Sequence, residues 1–150
     1  MPTREIDSNA VIATLNKILE TELAGVVRYT HYSFMVYGYG RIPIVGWLRG
    51  QANESLLHAQ EAGELITGLG GHPSLGIGKL LETHKHDIGD ILRESLEHEQ
   101  ASILLYHDLL ALVEGRNDGR QTIRGIRRDA TVRNPGRANS GWKRWKLAAY

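Results

Sequence analysis

The chain has 150 residues, 41% hydrophobic and 23% charged, which fits one globular domain and excludes wholesale disorder. It has no cysteine, which excludes disulfide scaffolds, iron–sulfur ligation and a thiol nucleophile. The net charge of +1 conceals a split: residues 1–115 carry 8 Lys/Arg against 15 Asp/Glu, and residues 116–150 carry 10 Lys/Arg against 2 Asp.

The first predicted element is a long helix over about residues 9–37. Ser8 is the candidate cap, Leu15, Leu19, Val26 and Ser33 recur on one face, and YGYG (37–40) breaks the pattern. A second helix is expected over 44–69, starting just after Pro43, where a missing N–H costs little. Its inner stripe reads Leu48, Ala52, Ser55, Ala59, Ala62 and Ile66, and Gly68, Gly70 and Gly71 end it. GGHPSLGIGKLL (70–81) is too long and too apolar for a hairpin turn and reads as a connector. The third helix is expected over 83–114, with Leu92, Leu96, Ile103, Tyr106, Leu110 and Val113 inward and Gly115 as its stop. Three long amphipathic segments without a strand signal predict an all-α bundle, its fourth helix absent or degenerate.

Residues 1–115 read as the helical domain and 116–150 as a basic, poorly patterned tail, within which 122–131 has the makings of a short helix. Two readings of the tail stay open. It binds phosphate backbones, with Trp142 and Trp145 for stacking, or its residues are foreign to the fold, as an altered reading frame would produce. No apolar run approaches the ~18 residues of a membrane-spanning helix, and the N-terminus lacks a signal-peptide pattern, so a cytoplasmic location is expected.

The informative anomaly is positional. Glu22 interrupts the apolar stripe Leu15, Leu19, Val26, Tyr29, and Glu99 interrupts Leu92, Leu96, Ile103, Tyr106. A buried carboxylate without a partner costs several kcal/mol, and no Lys or Arg shares these inner stripes. A metal cation is one natural partner. Hydrogen bonds from buried tyrosines such as Tyr29 or Tyr106 are the other. Glu54 and His58, four residues apart, share one side of the second helix and complete a carboxylate–imidazole set suited to iron or manganese rather than structural zinc. His84, His86 and Asp87 cluster before the third helix, as a metal-binding group or a solvated helix start. His98 and His107 lie off the expected inner stripe. There is no GxxxxGKS, GxGxxG or GxSxG, so nucleotide binding and serine hydrolysis have no support.

The segments LNKILETELAGVVRYTHY (15–32), HAQEAGELITGLGGHPSL (58–75) and LRESLEHEQASILLYHDLL (92–110) resemble the first, second and third helices of bacterioferritins. The resemblance implies a four-helix bundle around a dinuclear iron centre, built from one glutamate on each of two helices and a Glu-x-x-His on each of the other two. It makes Glu22 and Glu99 the single-glutamate ligands, His58 the second-helix histidine and Tyr29 the tyrosine beside the site. It also implies oxidation of Fe(II) by O₂ or peroxide and storage of the product in a 24-subunit shell, with manganese or zinc as rival ions.

Three positions depart from the pattern. Ser55 stands three residues before His58 where a glutamate is expected, with Glu54 next to it. No glutamate or histidine follows Glu114. Leu56 stands where a haem-ligating methionine would, so haem is not implied. The site read from these residues is therefore mononuclear or incomplete. Two rival functions remain at this stage: a ferritin-like DNA-protection protein that uses the basic tail, and a helical scaffold without catalysis.

Overall fold

Asp7, not Ser8, caps the first helix: its carboxylate accepts from the Ala10 N–H at 3.1 Å. The structure, a computed structural model, describes residues 5–80 and 83–114. Within them lie α1 (Ser8–Met35), α2 (Arg41–Gly68) and α3 (Ile88–Val113), and no strand. The basic tail and any fourth helix lie outside the described residues. No described helix is long and apolar enough to cross a membrane.

The helix ends differ from the sequence reading for local reasons. α1 stops at Met35 because Val36 turns to an extended conformation and is fully buried there, and Gly38 then takes φ +95°. α2 starts at Arg41, so Pro43 sits inside the first turn, where backbone N–H groups have no helical partner in any case. At its other end Gly70 takes φ +78°, the Gly71 N–H donates to the Ile66 carbonyl and the Gly70 N–H to that of Thr67. This paired closure uses glycine's access to left-handed backbone. α3 starts at Ile88 rather than at Thr83, because His84 has φ +54°, which a right-handed helix cannot contain.

α1 is the spine. The start of α2 packs on its end through Ile44, Val45 and Leu48 against Tyr32 and Val36, and the end of α2 returns to its start through Ala62 and Ile66 against Val11 and Leu15. α3 makes the same journey, with Ile91 in the first group and Leu109 and Val113 in the second. Both helices thus run antiparallel to α1 and parallel to each other. A parallel pair needs a crossover, and among the described residues 69–80 run along α1 as part of it. Asn16 accepts from the Ser74 N–H at 2.8 Å, the Ser74 hydroxyl donates to Glu20, and the Gly78 N–H donates to the Glu20 carbonyl at 2.7 Å. Gly78 permits this close approach, since a Cβ there would stand 2.8 Å from that carbonyl oxygen. Glu94 then fastens the far end, accepting from Thr83 on the crossover and from the Tyr32 phenol on α1.

The apolar core is divided. One cluster holds Val11, Leu15, Ile18, Leu19, Ala59, Ala62, Ile66, Tyr106, Leu109 and Val113. The other holds Tyr29, Tyr32, Val36, Ile44, Val45, Leu48, Ala52 and Ile91. Between them, on all three helices, lie Glu22, Ser55, His58, Ser95, His98 and Ser102, every one buried. The interior therefore carries a polar belt between two greasy ends.

Candidate metal centre

α1 brings Glu22 into the belt one turn after Ile18 and Leu19, its last buried residues in the first apolar cluster, and the Glu22 side chain is only 1% exposed. Facing it from α2 is His58, 5% exposed, with Nδ1 3.8 Å from Glu22 Oε1. The same oxygen accepts a 2.7 Å hydrogen bond from the phenol of Tyr106 on α3. Three helices thus meet at one carboxylate oxygen. No Lys or Arg is buried as a whole among the described residues, and the half-buried Arg28 places its guanidinium on Tyr32 and the Glu94 carbonyl.

A second carboxylate stands nearby in the sequence logic but has its own partner. Glu99, half-buried on α3, accepts from the Tyr29 phenol at 2.6 Å. Tyr29 is itself held edge-on between two rings, Trp47 at 6.5 Å and His98 at 6.1 Å between centroids. That packing fixes the phenol and hence the side of Glu99 it addresses. Both tyrosine–glutamate hydrogen bonds weighed from the sequence are present.

The second-helix position is where the site departs from a full ligand set. α2 is regular helix through this stretch, so Ser55, three residues before His58, points inward and is 2% exposed. Glu54 is rotated away and exposed, and the structure does not bring it to Glu22. Beside Ser55 lies Gly25 of α1: a Cβ there would stand 2.8 Å from Ser55 Oγ and 3.1 Å from His98 Nε2. The glycine makes room for two polar tips from two other helices. Among the described residues, no three His, Cys, Asp or Glu side chains form a ready metal cage.

His98 corrects the sequence reading, which left it off the inner stripe; it is 9% exposed and belongs to the belt. The buried face of α3 runs Ile91, Ser95, His98, Ser102, Tyr106, Leu109, Val113. Those steps of three and four residues were the available signal, masked by two serines and a histidine. The expected stripe through Leu92, Leu96, Ile103 and Leu110 is only half-buried.

A ferritin-like domain model matches residues 12–122. The chain belongs to the ferritin-like domain family. Among solved structures, this ferritin-like chain is similar to the bacterioferritin-related protein of Bacteroides fragilis, described as a dodecameric thioferritin. The two share 21% identity at a TM-score of 0.72, over 83% of this chain and 77% of that one. It is also similar to a ferritin-like, diiron-carboxylate protein from Bacillus anthracis strain Ames, at 21% identity and TM-score 0.66, over 82% of this chain and 91% of that one. At this identity the likeness is one of fold. A search of curated proteins gives no match.

Proposed function

We propose that this ferritin-like protein binds and oxidises Fe(II), with Glu22, His58 and Glu99 as the residues that hold the ion. The observation that carries this reading is Glu22: a carboxylate 1% exposed, with an imidazole nitrogen 3.8 Å from one oxygen, in a belt without a buried Lys or Arg among the described residues. Two carboxylates and one imidazole suit iron or manganese. As placed, these three side chains form no ready cage, so holding one ion requires them to draw together; with Ser55 in place of a carboxylate, the described residues do not supply a second set. Oxygen ligands favour Fe(III) over Fe(II), so this donor set would make bound Fe(II) easier to oxidise by O₂ or peroxide. Tyr29 orients Glu99, and Tyr106 holds Glu22 in place before the ion arrives. Zinc and manganese compete for the same donors.

The protein is also proposed to assemble with copies of itself, in line with the dodecameric neighbour and the shell its family resemblance implies. Storage or detoxification of iron is the role that follows. A second reading is favoured by a specific observation: Glu22 and Glu99 each already accept a tyrosine hydrogen bond, as they would in a scaffold that binds no ion.

Iron oxidation followed by absorbance separates the two. The intact protein is expected to oxidise Fe(II), and the double variant Glu22→Ala with Glu99→Ala to lose that activity while keeping its helical content. Equal rates would remove the iron reading, as would a melting temperature unmoved by Fe(II) and Mn(II). Light scattering on the same samples measures the number of chains per particle.

A further inference from the structure

We propose a second metal site, away from the belt and independent of the iron reading: a divalent-cation clamp made by His31 on α1 and His86 on the crossover. The two half-buried rings stand 6.2 Å apart between centroids, at 68° to each other. They come from segments far apart in the chain, so the fold, not the local sequence, brings them together. His86, though not His31, lines a cleft of about 660 Å³ with Tyr37, His84, Lys85, Asp87, Ile88 and Asp90.

The ring separation is the decisive quantity. An imidazole bound through nitrogen at about 2.0–2.1 Å has its ring centre about 3.2 Å from the ion. Two rings on one ion then lie about 5.2 Å apart at a tetrahedral angle and about 6.4 Å apart when opposite each other. The observed 6.2 Å falls inside that range.

The surroundings are of mixed charge, with Lys85 beside Asp87 and Asp90, so the two imidazoles carry the site. Asp87 stands at the N-terminal boundary of α3, yet its side chain makes no capping hydrogen bond, and its carboxylate lines the same cleft. Asp90 lines it too, paired with Arg93 at 2.7 Å. Two imidazoles with room for water suit a borderline ion such as Zn(II), Ni(II) or Cu(II), with water completing its coordination. A bound ion would tie the crossover to α1 just before α3 begins, next to the point where Glu94 joins Thr83 and Tyr32.

The test is a calorimetric titration of the full-length, chelator-treated protein with Zn(II) alone. His31→Gln and His86→Gln are each expected to weaken one class of sites by more than about tenfold. The Glu22→Ala, Glu99→Ala variant is expected to keep that class, which separates the clamp from the belt. His72→Ala and His107→Ala, both exposed and elsewhere, serve as controls. Histidine ring resonances followed during the titration guard against a folding artefact, since those of His31 and His86 should shift together in the unmutated chain. Unchanged Zn(II) binding in either glutamine variant, or a shift of only one of the two rings, would overturn the clamp.

Discussion

The phenol of Tyr106 on α3 donates to Glu22 Oε1 on α1 at 2.7 Å, inside the bundle and across 84 positions of sequence. This bond satisfies the most deeply buried carboxylate of the described chain, and it also occupies an oxygen that a metal ion would want. Stability of the metal-free fold and readiness to bind are therefore set against each other at one atom.

Tyr106→Phe exposes that opposition. Removing the donor from a buried carboxylate should cost about 1–3 kcal/mol in urea unfolding of the metal-free protein. Added Fe(II) should then stabilise the variant more than it stabilises the unmutated chain, because the oxygen no longer has to be taken from a phenol. Equal gains in the two proteins would show that no ion reaches Glu22.

Ser55→Glu supplies the carboxylate that α2 lacks three residues before His58. The longer side chain enters a tight place, since Ser55 Oγ already lies 2.8 Å from where a Cβ on Gly25 would be. The metal-free variant should lose about 1–3 kcal/mol. Its affinity for Fe(II) or Mn(II), measured by titration, should rise by at least about tenfold. A loss of stability without a gain in affinity would detach Ser55 from the metal centre.

The glycines divide by surroundings. Gly25→Ala drives a methyl group against Ser55 and His98 and should destabilise by about 1–3 kcal/mol. Gly78→Ala should be worse, because the atoms in its way are the backbone of Glu20 and Thr21. Gly63, mid-helix in α2 with nothing near its missing Cβ, should instead gain about 0.5–1 kcal/mol as alanine. Thermal melts of the three single variants give the order directly.

Tyr32 gives a pH dependence with a definite sign. Burial, and then its hydrogen bond to Glu94, push its phenol up from 10.0 to about 12. The folded state holds the proton more tightly than the unfolded state, so the stabilisation is complete below pH 10 and is lost as pH rises from 10 to about 12. Urea unfolding at pH 8, 10 and 11.5 should show this fall in the unmutated chain and a smaller one in Tyr32→Phe. Parallel profiles would assign the alkaline loss to other groups.

How far the sequence is legible differs helix by helix. All six expected inner positions of α2, from Leu48 to Ile66, are buried, because that helix packs one narrow face of small and aliphatic residues. Glu22 is recognisable for the same reason, as a polar residue inside apolar periodicity, whereas His58 is reached only through its spacing from Glu54 and the bacterioferritin resemblance. α3 is harder: its deepest face is partly polar, Ser95, His98 and Ser102, so a reading by hydropathy shifts one residue over to Leu92 and Leu96. Glu54 against Ser55 is a difference of one helical step, settled only by the continuous helix of α2. That tyrosines hold both glutamates depends on distances between helices, which spacing along one chain does not encode.

The crossover lashed along α1 has a kinetic consequence. α1 and α2 are joined through residues 36–40 and need only a short loop to meet, whereas α3 is separated from α2 by the longer stretch between Gly68 and Ile88, a slower closure. Glu22 acquires the Tyr106 phenol only on that last arrival. An ion that binds across all three helices would accordingly leave the rate of folding almost untouched and act as a brake on the first detachment of α3.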